Sequence, residues 1–379
     1  MKLKTKVLKN FKDLGVKPHF IQAMKEMGVN KPTEIQERSI PKLLDNNIDY
    51  IGKAQTGTGK TIAFGIPLLQ KINPKKDEIQ ALVLAPTREL AQQIKKQLFK
   101  LTKFSEQKIF CETVYGGEKI DIQIKNLERT THVVVATPGR LCDLLDRSAI
   151  DISAIKMLVL DEADEMLSMG FLPDLNRILK FSTASKNTWL FSATFPNALS
   201  SLVKTYMNDP VRVEVEANQI MNENISHKYI STTLPKKLDV LVAFVESRGT
   251  EKGIVFCKTK LGAQKLREEL SEEGFSAVAL EGDMGQRDRE KSLRSFKNGA
   301  SQLLICTDVA ARGIDVPNVN FVIHYQLPEN TEYFLHRSGR TARGGNKGLS
   351  LAIVLSKELE DLQALQKEFK IYFGKYTIA

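Results

Sequence analysis

The chain has 379 residues, 42% hydrophobic and 26% charged, with a formal net charge of +10 and a pI near 9.2. That length fits about two domains of roughly 100–200 residues each, and no apolar run approaches the roughly 18 residues of a membrane span. The basic start MKLKTKVLKNFKD lacks the apolar core of a signal peptide, so a cytoplasmic protein with no membrane association is expected.

The expected elements, in chain order, are short aliphatic strands, each followed by a polar turn and then a helix-like pattern. In the first half the strands are ALVLA (81–85), HVVVA (132–136), MLVL (157–160) and TWLF (188–191). In the second they are GIVF (253–256), SAVAL (276–280), QLLIC (302–306), NFVIHY (320–325) and LSLAIV (349–354). Runs that are apolar nearly throughout imply strands buried on both faces. Segments between them, such as RELAQQIKKQLFKLTK and TKLGAQKLREELSEEG, have helical spacing. The alternation predicts the α/β class, with parallel sheets flanked by helices. The polar stretch DPVRVEVEANQIMNENISHKY, with its Asp-Pro and Asn-rich core, is the expected linker. The expected domains are 1–208 and 225–379, joined by a linker over 209–224.

The four cysteines, Cys111, Cys142, Cys257 and Cys306, never form CxxC; they read as small buried hydrophobes, with neither disulfides nor structural metal expected. The excess of positive charge favours a polyanionic partner, nucleic acid first. The lysines are spread along the chain, so any such site belongs on the folded surface.

Polar clusters follow the strands directly: PTREL, TPGR, DEAD and SAT in the first half, CKTK, EGDM and TDVAARGID in the second. Open α/β sheets bind ligands beyond the carboxyl ends of their strands. AQTGTGKT (54–61) has P-loop spacing, with Ala54 where Gly is common. In such a loop Gly57 and Gly59 turn backbone N–H groups toward phosphates, Lys60 reaches the β- and γ-phosphates and the Thr61 hydroxyl holds Mg²⁺. In DEAD (161–164), Asp161 suits a second Mg²⁺ contact, and Glu162 suits the orientation and deprotonation of an attacking water.

Eleven motifs in order, KPTEIQ, AQTGTGKT, PTRELA, GG, TPGR, DEAD, SAT, VFCKTK, QRDR, TDVAARGID and HRSGRTAR, make the chain resemble the DEAD-box RNA helicases over nearly its whole length. The resemblance implies two tandem RecA-like domains that close on ATP and RNA. It implies that Arg340 and Arg343, with His336 in the same motif, face the γ-phosphate as arginine fingers, worth roughly 10³–10⁵ in rate in related phosphoryl transfers. It also implies that Gln36 reads adenine, with Lys31 beside it and Phe11 stacking on the base, and that Thr56, Thr58, Gly313 and Asp315 complete the nucleotide site. The RNA path would run along Pro86, Thr87, Arg88, Gly116, Gly117, Thr137, Gly139, Arg140, Arg289 and Thr307, with Ser192 and Thr194 coupling it to ATP. Those residue types suit a sugar-phosphate chain bound with little sequence preference.

Ser338 and Ala342 depart from the Ile and Gly common in the last motif. The chain ends soon after the second domain, at KIYFGKYTIA, without a basic or Gly-rich tail. RNA choice is therefore expected to come from a protein or ribonucleoprotein partner, or the sequence is a core fragment. The expected activity is ATP-dependent RNA unwinding or remodelling by a monomer. Two other readings stay open on the residues: an ATP-locked RNA clamp, which would hydrolyse little, and a DNA-dependent motor, which DNA would stimulate.

Overall fold

The computed structural model describes residues 10–45, 47–55, 57–181, 186–215, 224–281, 284–311, 319–329, 331–342 and 346–378. The chain divides into two compact units, Met1–Ala217 and Asn218–Ala379. Among the described residues, no helix is long and apolar enough to cross a membrane.

The first unit runs α1 (Pro18–Glu26), α2 (Glu34–Asp45), β1 (Tyr50–Lys53), α3 (Lys60–Lys71), β2 (Ala81–Leu84), α4 (Arg88–Leu101), β3 (Cys111–Val114) and α5 (Ile120–Leu127). It continues through β4 (Val133–Ala136), α6 (Pro138–Asp146), β5 (Met157–Asp161), α7 (Ala163–Ser168), α8 (Leu172–Phe181), β6 (Asn187–Ser192), α9 (Asn197–Tyr206) and β7 (Val211–Glu214). The second unit starts with β8 (Ile225–Thr232), α10 (Lys237–Ser247), β9 (Gly253–Phe256), α11 (Lys260–Glu272), β10 (Ala277–Leu280) and α12 (Gln286–Asn298). It ends with β11 (Leu303–Cys306), α13 (Asp308–Ala311), β12 (Phe321–His324), α14 (Glu332–Ser338), β13 (Gly348–Leu355), α15 (Leu359–Phe369) and β14 (Gly374–Lys375).

Each unit holds a seven-stranded sheet, in the orders β3-β4-β2-β5-β6-β1-β7 and β10-β11-β9-β12-β13-β8-β14. Every strand pair named in either sheet is parallel. The α/β architecture of parallel sheets under helices is as the sequence implies.

The period of two along each strand divides the core. Val83, Val135, Val159 and Phe191 join the cluster under α3 and α4, while Leu82, Val134, Leu158 and Leu190 join the cluster under α6 and α8. In the second unit Val255, Ile305 and Ile323 face one side, and Ile254, Leu304 and Val322 the other. The expected linker differs in its first part: Val211–Glu214 is β7, paired in parallel with β1. Its V-R-V-E alternation buries one side and exposes the other, as suits an edge strand.

The second unit buries unusual polar groups beneath α14. Phe334 lies stacked on His324 with ring centroids 4.2 Å apart, and 5.7 Å from the His227 ring. The Ser338 hydroxyl donates to the Phe334 carbonyl at 2.8 Å and lies 2.9 Å from the Ser350 hydroxyl and 3.3 Å from His324 Nε2. The departure at Ser338 thus has a local reason, since its hydroxyl joins a buried polar set. Ala342 takes φ +56°, where Gly would be less strained. Burial holds His227 down to about 4 and His324 well below the usual imidazole range.

Two outcomes are expected. A Cβ on Gly253 would lie 1.8 Å from the Phe321 ring, so Gly253→Ala lowers stability by about 1–3 kcal/mol in urea unfolding. Because the folded state depresses the His227 pKa, the unfolded chain binds more protons between about 6.5 and about 4, and the stability present above that window is lost as pH falls through it. Wild type should therefore lose about 2 kcal/mol more than His227→Phe between pH 7 and pH 5, measured by calorimetry. Equal losses in the two chains would refute this.

Candidate functional site

The nucleotide-type loop begins at the end of β1, whose neighbours are β6 and β7. Gly57 and Gly59 take φ +80° and +91°, and Gly59 caps α3 in the left-handed region. A side chain at Gly59 would meet Gln36 Nε2 at 2.3 Å, so glycine is required there. The reason is a direct link between two motifs. Gln36 Nε2 donates to the Gly59 carbonyl at 3.1 Å, and Gln36 Oε1 accepts the Thr33 N–H at 3.0 Å. Thr33 Oγ1 in turn donates to the Thr58 carbonyl at 2.7 Å. The KPTEIQ segment is therefore stitched to the loop. Lys31 is exposed at the preceding bend, whereas Phe11 is buried with Leu14 and Phe20 in the core. Thr56 lies outside the described residues.

Lys60 opens α3 and is buried, its Nζ donating to the Ala54 carbonyl at 3.0 Å. Thr61 follows it, half-buried. Asp161 closes β5 at 2% exposure, and its Oδ1 accepts the Glu162 N–H at 3.0 Å. Burial pushes this carboxyl up to about 7, against the pull of the Lys60 ammonium. Glu162 caps α7 with φ +52°, a left-handed conformation costly for a side chain with a Cβ and typical of functional turns.

Ser192 and Thr194, expected to couple two sites, share a partner that the sequence reading did not single out. Asp164 Oδ2 accepts the Thr194 N–H at 2.8 Å and its hydroxyl at 2.9 Å, and the Asp164 N–H donates to Ser192 Oγ at 3.2 Å. The last acid of DEAD is thereby fastened to SAT.

Three more loops of the first unit meet around Gly117 and Glu118. Thr87 N-caps α4, accepting the Leu90 N–H at 3.3 Å, and Pro86 before it is buried. Arg88 lies so near Gly117 that a Cβ there would sit 2.3 Å from its Nη1. Gly116, alongside, is exposed. Thr137 precedes α6, with Pro138 at its first turn and Gly139 half-buried behind it. Arg140 Nη2 donates to the Glu118 carbonyl at 3.0 Å, while its Nε and Nη1 have no hydrogen-bond partner among the described residues.

In the second unit Arg289 is buried, its Nη2 donating to the Ala310 carbonyl at 2.8 Å and its Nη1 to the Glu281 carbonyl at 3.3 Å. It braces the turn that carries Thr307, whose hydroxyl accepts the Ala310 N–H at 3.4 Å. His336 lies on α14, and the Arg340 N–H donates to the Arg337 carbonyl at 3.0 Å just beyond it. Gly313, Asp315 and Arg343 lie outside the described residues. Arg337, buried, and Asp308, half-buried, form an ion pair among these motifs that their sequence positions do not reveal.

Comparison with known proteins agrees with this geometry. The DEAD/DEAH box helicase family model matches residues 33–202, and the helicase conserved C-terminal domain matches 236–345. The chain is 40% identical over 360 residues to the DEAD-box ATP-dependent RNA helicase CshA of Geobacillus kaustophilus, covering 95% of this chain and 76% of that one. The CshA of Bacillus subtilis is also 40% identical, with 72% of it covered. Among solved structures, S. cerevisiae Dbp5 bound to RNA and ADP BeF3 is similar with TM-score 0.87 and 33% identity, over 97% of this chain and 95% of that one. Mss116p bound to ssRNA and AMP-PNP gives TM-score 0.85 at 29% identity, over 100% of this chain and 82% of that one. With both domain models matched in order and a 40% identical relative matched over 95% of this chain, the chain belongs to the DEAD-box family of ATP-dependent RNA helicases.

Proposed function

We propose how the residues of this chain divide the work of ATP-driven RNA remodelling. The observation that carries the reading is the placement of the buried Asp161 carboxyl at the end of β5, on the same sheet edge as the glycine-rich loop that leads from β1 into Lys60 and Thr61. A divalent cation would answer the charge of that buried carboxylate. Asp161 and the Thr61 hydroxyl would hold Mg²⁺, which would supply positive charge beside the phosphates. Lys60 would exchange the Ala54 carbonyl for the phosphates, and the loop N–H groups around Gly57 and Gly59 would line them. Gln36 would turn its remaining amide valences to adenine; Lys31, Thr56, Thr58, Gly313 and Asp315 would complete the nucleotide contacts. The buried ring of Phe11 would support this pocket from beneath instead of stacking openly.

Glu162, set in its left-handed turn, would orient the attacking water and take its proton. His336, Arg340 and Arg343 of the second unit would approach the γ-phosphate on closure. RNA would lie along Thr87, Arg88, Gly117, Thr137 and Arg140 in one unit and near Thr307 in the other, with Arg289 bracing that turn from within. The Asp164 bonds to Ser192 and Thr194 would transmit closure between the sites. Backbone contacts made by arginines and threonines support binding with little sequence preference. We further propose that the protein acts in the cytoplasm as a monomer.

Glu162→Gln tests the assignment. RNA-stimulated ATP hydrolysis should fall by about 10²-fold or more, while RNA binding with a non-hydrolysable ATP analogue persists. Unchanged hydrolysis, or equal stimulation by DNA of matched sequence, would sink the reading. In a salt titration, log affinity for single-stranded RNA should fall linearly with log salt, and Arg88→Ala should flatten the slope by about 0.7. An unchanged slope would take Arg88 off the phosphate path.

A further inference from the structure

Arg337 is almost wholly buried at 1% exposure, and burying a guanidinium is costly unless every part of it is answered. Here it is answered from three segments. Its Nε and Nη2 donate to the two Asp308 carboxylate oxygens at 2.6 and 2.7 Å, a bidentate pair. Its Nη1 donates to the Gln326 carbonyl at 2.6 Å, and its Cζ lies 4.9 Å from the Phe256 ring centroid. Gln326 extends the brace: its Oε1 accepts the Lys258 N–H at 2.7 Å, and its N–H donates to the Phe256 carbonyl at 3.3 Å.

These contacts join the end of β9 with its CKTK turn, the TDVAARGID turn, the turn after β12, and α14. Two functional groups depend on the junction through one covalent step or one hydrogen bond. Thr307 immediately precedes Asp308, and Arg340 hangs from the Arg337 carbonyl at 3.0 Å.

We propose that Arg337, locked by Asp308, is a positioning residue for Arg340, fixing the last turn of α14 so that the finger side chain leaves in one direction. The inference rests on Arg340 acting at the γ-phosphate. Arg337 itself touches no reacting atom, since its donors are occupied inside the unit. Lysine could keep the charge but not the two parallel bonds to Asp308.

The test uses the full chain. Removing one partner alone would strand a buried charge, so the primary variant is the double change Arg337→Met with Asp308→Leu, which takes out both. With its thermal transition retained, it should lose about 10²-fold in RNA-stimulated kcat through misplacement of the finger, with the KM for ATP moving less than about threefold. A wild-type kcat in that variant overturns the proposal. So does a loss in KM alone, which would mean a role in ground-state binding. Should the double variant fail to fold, Arg337→Lys carries the same expectation, and a wild-type kcat there is equally fatal. Arg340→Lys is measured in parallel. If it keeps its kcat, the reading of Arg340 as a finger fails; if it loses kcat while the Arg337 variants do not, only the positioning role fails.

Discussion

The whole arrangement depends on one constraint: each sheet is built from parallel strands. Parallel strands end at the same edge, and each must be followed by a crossover that begins there. The turns at that edge are where polar side chains can gather without interrupting strands buried on both faces. In the first unit, Ser192 of β6 pairs in register with Lys53 of β1, and Asp161 of β5 with Phe191 of β6. Backbone pairing alone therefore sets the loop after β1, the carboxylates after β5 and the hydroxyls after β6 side by side. Threonine recurs at this edge for a related reason. Thr87, Thr259 and Thr307 each offer an oxygen to the first turn of the helix that follows, as N-caps do.

Charge at this edge is handled in two ways. Where the structure needs rigidity, buried charges are matched within the unit, as Arg337 is by Asp308 and Arg289 by carbonyls. Elsewhere compensation is left incomplete. Burial raises the Asp161 carboxyl despite Lys60 nearby, and Arg140, with Nε 3.8 Å from an Asp143 carboxylate oxygen, makes no hydrogen bond through Nε or Nη1 among the described residues. Arginines stand on both sides of this contrast, so residue type alone does not tell a fully matched charge from a partly matched one.

Much of this was legible in the sequence. The aliphatic strands announced themselves because burial on both faces leaves no polar positions, as in VVVA and LLIC. Strands that mix polar residues were missed. YIGK forms β1 although it contains Gly52, whose missing side chain leaves room for the Phe191 ring, and ISHKYIST forms β8 with His227 buried in it. The motif residues were legible because phosphate chemistry fixes both residue type and spacing. What the sequence could not show depends on long-range geometry: the left-handed turn at Glu162, the grip of Asp164 on Thr194, the inward turn of Arg289, and the pairing of Arg337 with a residue 29 positions earlier. Composition says nothing about such pairings.

Renumbered from its first strand, the second sheet has the strand order of the first, position for position. The chain is in that sense one topology used twice, yet the two uses are unequal. After β1 the first copy carries AQTGTGKT, whereas the matching place after β8 holds a short turn of helix at Leu234–Lys236, within TTLPKK. That turn contains no glycine to wrap a phosphate and no hydroxyl following its lysines. At this matching place the glycine-rich loop is therefore carried by the first copy alone. One backbone plan thus carries two different contents at the same point, a glycine-rich loop in one copy and a proline-containing turn in the other.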